Sequence, residues 1–368
     1  MQLIYLSESL INSNSANSIQ VMKMCDAFQK SGYNVTLFAV ENNLLNEPIK
    51  YYNCNNSFKI ILLKKPKIRF IGSIVYALRI SVKFKKILDE KHLIYSRSAL
   101  ATFFLLRKSH HHIFEAHSLP TNKYRSYIEG KILKSPNLLH LVTISSSLAN
   151  DYKKKYSLSK TRIVVAHDGA EIVNFKSETT REKRNSFGYV GSLYPGRGIE
   201  IIIQLAEVFS KYDFHIVGGS PKEIEFWKNS SSIPSNLIFH GYQPYSKLKE
   251  FYDLFDIALA PYQKKVSVYG GKGDTSRWMS PLKIFEYMAN RKLIVVSSIH
   301  VLKEVLVNER NAILCNPENI NDWKKKVKLI LSEPLLKDKI VDTAYNDFIK
   351  NYTWDNRVNI VMKGEMYK

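Results

Sequence analysis

The sequence predicts an α/β protein made of two doubly wound parallel-sheet domains, and three observations carry that prediction. Short β-rich runs alternate with helical patterns from the first residues. The alternation stops at one polar, aperiodic stretch and then restarts. At 368 residues the chain exceeds one ordinary core and suits two, each large enough to bury its own.

The first half opens as a βαβ unit: QLIYLSES, then the helical SIQVMKMCDAFQKSG with Gly32 placed to end it, then NVTLFAV. It continues through FKIILL, a basic helical stretch, LIYSRS, a helix from about Ala99, HIFEAHS, a further helical stretch, LLHLVTIS, a helix from Ser146, and RIVVAHDG. Six or so strands with helices between them imply a parallel sheet. The segment AEIVNFKSETTREKRNSF is charged and without periodicity, which marks a linker. The second half repeats the plan with FGYVGS, a helix from Ile199, DFHIVGG, a helix near Pro221, NLIFHGY, YSKLKEFYDLF, IALAPY, SPLKIFEYMA, LIVVSS and AILCN. Helices from NDWKKKVKLILSE to the end close it. The expected domains are residues 1–175 and 183–350, with their strand carboxyl ends around one cleft, where open α/β sheets bind ligands.

Apolar content of 45% and charged content of 24% exclude wholesale disorder. Cys25, Cys54 and Cys315 are scattered and odd in number, against a disulfide framework or clustered zinc site, so a reducing cytoplasm is expected. MQLIYLSESL lacks the pattern of a signal peptide, and no run reaches the 18 or so apolar residues of a spanning helix. A net charge of +21 favours nucleic acid, anionic lipid or a phosphorylated substrate. Part of it lies in KKPKIRFIGSIVYALRISVKFKKILDEK, where Lys64, Lys65, Lys67, Arg69, Arg79, Lys83, Lys85 and Lys86 surround Ile71, Ile74, Val75, Leu78 and Val82. Such a stretch serves an anionic membrane surface or a domain core equally well.

In SRWMSPLKIFEYMA, Ser280 suits an N-cap, Pro281 the first helical position, and Leu282, Phe285 and Ala289 recur at core-facing spacing. The free N–H groups and partial positive charge of that helix start invite phosphate. Lys283 would reinforce the charge, and Glu286, expected on the same open face, could accept from a sugar hydroxyl. An ordinary capped helix with a surface Lys/Glu pair is the alternative.

Six short motifs in order resemble the retaining glycosyltransferases of family 4: FEAHS, VTISSSLANDY, VAHDGAE, FGYVGSLYPGRGIEIIIQLA, DFHIVGGSP and IALAPY with SPLKIFEYMANRKLIVVSS. The resemblance covers nearly the whole chain. It implies the GT-B fold, two Rossmann-like domains facing a central cleft, the first for the acceptor and the second for a nucleotide-sugar donor. The late YTWDNR resembles the start of a terminal helix, about 351–368, that packs back on the first domain.

By the same resemblance, Gly191, Ser192, Arg197, Gly218, Gly219, Ser280, Pro281, Leu282, Lys283 and Glu286 bind the donor. Arg197 and Lys283 stabilise the leaving diphosphate, and His117 contacts the transferred sugar. Glu115 is expected to orient its neighbours. Asn14, Ser15, Asn17 and Ser18 are the expected acceptor loop, with an N-cap as the plainer role. The chain departs from the family at Trp278, where a second motif glutamate usually stands, and at Ser192, often arginine. His110, His111 and His112 read as a solvated turn, and GGKGD at 270–274 as a loop.

The expected reaction is a metal-independent, retaining transfer of a hexose-type sugar from a nucleoside diphosphate to a glycan or polyprenyl-diphosphate-linked acceptor, without cofactor. The expected place is the inner face of the cell membrane, in bacterial surface polysaccharide or lipopolysaccharide synthesis, with no nucleic acid as partner. A nucleotide-sugar epimerase on the same scaffold and a basic nucleic-acid-binding protein are the rivals.

Overall fold

A computed structural model of the chain describes residues 1–42, 47–68, 71–85, 92–106, 110–158, 162–175, 185–267 and 273–363. They divide into two compact units, Met1–His167 joined by the segment from Trp354, and Asp168–Thr353.

The first unit holds strands β1 (Gln2–Leu10), β2 (Asn34–Val40), β3 (Lys59–Leu63), β4 (His92–Ser96), β5 (His112–Ala116), β6 (Leu138–Thr143) and β7 (Ile163–Val165). All pairs are parallel, in the order β3-β2-β1-β4-β5-β6-β7. Leu3, Ile4, Tyr5 and Leu6 of β1 are wholly buried, because a sheet covered by helices on both faces needs continuous rather than alternating apolar runs. The first helix, Ala16–Lys30, is capped by Ser15 and ends ahead of Gly32, whose φ of +87° suits glycine. The terminal helix Trp354–Val361 packs beside Ala16–Lys30, where Lys30 and Asp355 pair at 2.5 Å.

The helix Ile71–Lys85 carries two apolar faces. Tyr76, Ala77, Ile80 and Phe84 enter the core, whereas Ile71, Leu78 and Val82 stay 53%, 46% and 60% exposed, a stripe too open to be core. Lys64, Lys67, Arg79 and Lys83 are exposed around that stripe, and Lys65 is instead paired with Glu8 at 2.5 Å. Arg69 and Lys86 lie outside the described residues.

The second unit holds β8 (Phe187–Val190), β9 (Phe214–Val217), β10 (Leu237–Gly241), β11 (Ile257–Ala260), β12 (Leu293–Ser297) and β13 (Ile313–Cys315). They are parallel in the order β10-β9-β8-β11-β12-β13. The helix Ile199–Val208 covers one face, over Phe187 and Phe214, whose rings stack at 4.4 Å. The boundary between the units falls earlier than the expected 175, at His167/Asp168. The reason is local: Asp168 N–H donates to Ser280 Oγ at 2.8 Å, and Ala170 N–H donates to the Tyr352 carbonyl at 3.0 Å, both within the second unit. Half of the expected linker, 176–184, lies outside the described residues, as do 270–272 of the glycine loop. Among the described residues no helix is long and apolar enough to cross a membrane.

Candidate active site

In the second unit the strand order reverses between β8 and β11, the point where sheets of this kind open a crevice beyond their carboxyl ends. Gly191 follows β8, and Pro261 and Tyr262 follow β11. Gly191 has φ +146°, and a Cβ built there would stand 2.6 Å from Lys283 Nζ, so the ammonium uses the space a side chain would take. Gly218, φ +123°, is bare for a similar reason: its Cβ would meet the Gly191 carbonyl oxygen at 2.1 Å. The two glycine turns thus stack on one another.

Lys283 reaches this spot from the helix Leu282–Ala289. It is 9% exposed, and its Nζ has no hydrogen-bond partner among the described residues. The ammonium lies 3.7 Å from the centre of the Tyr189 ring and 5.5 Å from that of Tyr262. A desolvated cation over an aromatic face gains about 2 kcal/mol, well short of replacing lost water. Burial pushes the Lys283 ammonium well below the usual lysine range, the Arg197 charge pushes the same way, and Glu286 opposes them. Arg197 sits 5.5 Å from the Tyr262 ring, donates to the Ser267 carbonyl at 3.3 Å, and keeps a buried Nε with no hydrogen-bond partner among the described residues. Two cations with nitrogens unpartnered among the described residues, on an aromatic floor, are an arrangement that can accept an anion.

Three sequence expectations about this helix are corrected. It begins at Leu282, with Pro281 in the capping position and no side-chain cap. Ser280 is not the cap, because its hydroxyl is taken by the Asp168 N–H. Lys283 and Glu286 are not on an open face: all eight helical residues are buried, since the helix is packed by core residues on several sides. Glu286 accepts from Tyr252 OH at 2.8 Å, a bond that fixes the carboxylate. Ser192 offers its carbonyl to Tyr189 OH at 2.6 Å and so orients the ring under Lys283. Gly219, φ +82°, packs on Leu193. Trp278 stands in the turn before the helix, its backbone N–H donating to the Thr275 carbonyl at 3.1 Å.

In the first unit the reversal falls between β1 and β4, and a second polar cluster gathers there and at the end of β5. Its centre is Glu115, fully buried. The carboxylate accepts from Gln20 Nε2 at 3.0 Å, from Tyr95 OH and from His117 Nε2. Arg357 of the terminal helix adds NH1 and NH2, each 3.2 Å from one carboxylate oxygen, and Arg97 Nε lies 3.9 Å away. Burial pushes Glu115 up, but Arg357, the His117 hydrogen bond and Arg97 outweigh it and hold the carboxyl well below the usual range. Burial, then Arg97, holds His117 down at about 4, so the ring is neutral at neutral pH. Its side chain keeps 27% of its surface.

Of the expected acceptor residues, Asn17 joins this cluster, accepting from Arg97 and donating to Ser9 Oγ at 2.8 Å. Asn14 accepts from Tyr51 OH at 2.6 Å. Ser15 caps the first helix through the Ser18 N–H, and wholly buried Ser18 bonds back to Ser13 and Ser15, so the plainer capping role describes that pair. His112 corrects the solvated-turn expectation: it opens β5, is buried, and is held down at about 4 by burial. Arg97, Gln20, Tyr95, Arg357, Tyr189 and Tyr262 escaped the sequence reading. For Tyr189 the signal was its place two residues before Gly191; for Arg357 it was an arginine inside a helix otherwise read as packing.

The family described as glycosyl transferases group 1 matches residues 171–347, nearly all of the second unit. An uncharacterised glycosyltransferase of Methanocaldococcus jannaschii, MJ1607, is 24% identical over 59% of this chain, which spans 57% of that relative's length. The chain takes the GT-B fold, and its second unit matches the glycosyl transferases group 1 family. Among solved structures, the chain superimposes with a TM-score of 0.74 on sucrose-phosphate synthase from Thermosynechococcus elongatus, over 100% of this chain and 98% of that one at 15% identity. Anabaena HepE in complex with UDP-glucose gives a TM-score of 0.71 at 11% identity over 100% of both chains.

Proposed function

We propose that this chain is a glycosyltransferase that moves a hexose-type sugar, with retention at the anomeric carbon and without a metal, from a nucleoside diphosphate sugar to a glycan or lipid-linked acceptor. The observation that carries the reading is Lys283: a buried ammonium with no hydrogen-bond partner among the described residues, beside a bare glycine turn, with Arg197 on the same aromatic floor. A diphosphate supplies the missing charge and acceptors. HepE was solved with UDP-glucose, which supports a donor of this class.

In the reaction, the bond from the anomeric carbon to the diphosphate oxygen breaks toward an oxocarbenium-like state. The departing charge is stabilised by Lys283, Arg197 and the N–H groups at the start of Leu282–Ala289, which take the part of a divalent ion. The acceptor hydroxyl attacks from the same side, its oxygen forming the new bond to the anomeric carbon while its proton passes to the leaving diphosphate. Glu286, already oriented by Tyr252, is assigned to the ribose hydroxyls, and His117 of the first unit to a hydroxyl of the transferred sugar. Thermal stabilisation by UDP, GDP, ADP and CMP in the presence of chelator tests the donor site. One nucleotide should stabilise the wild type by about 2.7 kcal/mol at a hundred times its dissociation constant, and Glu286→Ala should lose most of that. No shift with any nucleotide would sink the reading.

We place the acceptor at an anionic membrane, as expected for surface polysaccharide synthesis, and the stripe Ile71, Leu78, Val82 with its flanking Lys64, Lys67, Arg79 and Lys83 supports this. Each cation near such a surface contributes about 1 kcal/mol. Co-sedimentation should occur with phosphatidylglycerol vesicles, fail with phosphatidylcholine alone, and be lost in Leu78→Ser/Val82→Ser. Equal binding to both lipids would contradict it.

A further inference from the structure

The cluster around Glu115 contains more order than an ion pair requires. The Arg357 fork meets both carboxylate oxygens, and the same guanidinium donates from Nε to the His167 carbonyl at 2.9 Å and from NH2 to the Ala166 carbonyl at 3.3 Å. Such a fork fixes the plane of the carboxylate. Tyr95 OH and Gln20 Nε2 hold it from β4 and from the first helix. An ionised carboxylate only accepts, so every group aimed at it must donate. His117 Nε2 is one of those groups and therefore carries a proton. The charged and titratable groups packed around this pair are Arg97, Arg357, Tyr95 and Tyr5. Two cations already face one carboxylate, so a further positive charge on the imidazole is disfavoured and Nδ1 keeps its lone pair.

We propose that Glu115 and Arg357 are positioning residues that lock His117 in the Nε2–H tautomer, so that its Nδ1 accepts a hydrogen bond from a hydroxyl of the transferred sugar. This rests on the assignment of His117 to the sugar. The inference gives the terminal helix a task beyond packing: it delivers the arginine that sets the tautomer of a residue far away in sequence. A neutral acceptor nitrogen selects a hydroxyl donor, where an imidazolium would select an anion.

The test is the two-bond proton–nitrogen spectrum of the protein labelled with nitrogen-15 histidine. In the wild type at neutral pH, His117 should show a protonated Nε2, an unprotonated Nδ1 and no titration above about pH 5, against an ordinary midpoint near 6.5. In Arg357→Lys, which keeps the charge but loses the fork, the tautomers should mix. There kcat should fall about tenfold or more, as for other residues that orient an active group, with donor KM little changed. Glu115→Gln should likewise release the tautomer. A wild-type Nδ1–H signal, or a tautomer unmoved in a folded Arg357→Lys protein, would overturn the positioning role whatever the rates. An unchanged transfer rate in His117→Ala would overturn the sugar assignment whatever the tautomer.

Discussion

Glu115 and Lys283 are both buried charges, one in each unit, and the chain treats them in opposite ways. Glu115 accepts from Gln20, Tyr95, His117 and Arg357, with Arg97 close by. Lys283 Nζ has aromatic faces around it and no hydrogen-bond partner among the described residues. Burying an ion is unfavourable unless it is paired and hydrogen-bonded. The first site is complete by itself and so serves to hold its neighbours. The second is incomplete among the described residues, and the proposed diphosphate would complete it.

The largest effect expected from breaking this contrast is on stability in the first unit. Arg357→Met leaves Glu115 without its principal cation, and unpairing one partner of a buried ion pair costs about 3–5 kcal/mol. Because the Glu115 pKa is depressed on folding, its contribution is present above the unfolded value near 4.3 and is lost as pH falls through the folded value. Denaturant titrations should therefore show the Arg357→Met penalty at neutral pH and a smaller one in acid; a penalty that does not shrink in acid would contradict the pairing. Next in size is Lys283→Met, which should lower kcat by about 10²–10³, the cost of removing one preorganised donor from a developing anion. A fall of less than tenfold would place the stabilising charge elsewhere.

How much of this was legible in sequence follows the same division. The parallel sheets were, because continuous apolar runs such as LIYL and LIVV between helical periods have few other solutions. The glycine turns and Lys283 stood in short local motifs. Their burial was not legible: helical spacing makes Lys283 and Glu286 look like a surface pair, and only the packing around Leu282–Ala289 encloses them. Ser280 read as a cap because its competitor, the Asp168 N–H, lies 112 positions away. The partners of Glu115 come from residues 20, 95, 97, 117 and 357, and no local pattern gathers those.

A smaller effect sharpens the shape of the second site. Gly191→Ala forces a side chain into a φ of +146° and against the ammonium, which should cost about 1–3 kcal/mol of strain. Thermal unfolding should show the loss together with weaker nucleotide binding, and a variant as stable and as tightly binding as the wild type would mean that the lysine is not seated there. The smallest effect is a proton count. Lys283 has a folded pKa below its unfolded value, so ligand-free stability should rise with pH between the two. A bound diphosphate raises that pKa, so binding should take up a proton and weaken as pH climbs through the free value. Calorimetry of UDP binding in buffers of different ionisation enthalpy measures this; no proton exchange at alkaline pH would argue against a diphosphate at Lys283.

The most direct test compares Lys283→Met with the wild type in one thermal unfolding experiment, with and without UDP. Replacing an unpaired buried charge by a methionine of similar volume removes its desolvation cost, so without UDP the variant should be the more stable protein, by about 1–4 kcal/mol on the precedent of buried ions replaced by apolar residues. With UDP at a hundred times its dissociation constant the gap should shift by about 2.7 kcal/mol in favour of the wild type, because only the wild type gains. A variant less stable than the wild type without UDP, and still stabilised by it, would contradict the account of Lys283 as a cation held ready for the donor's diphosphate.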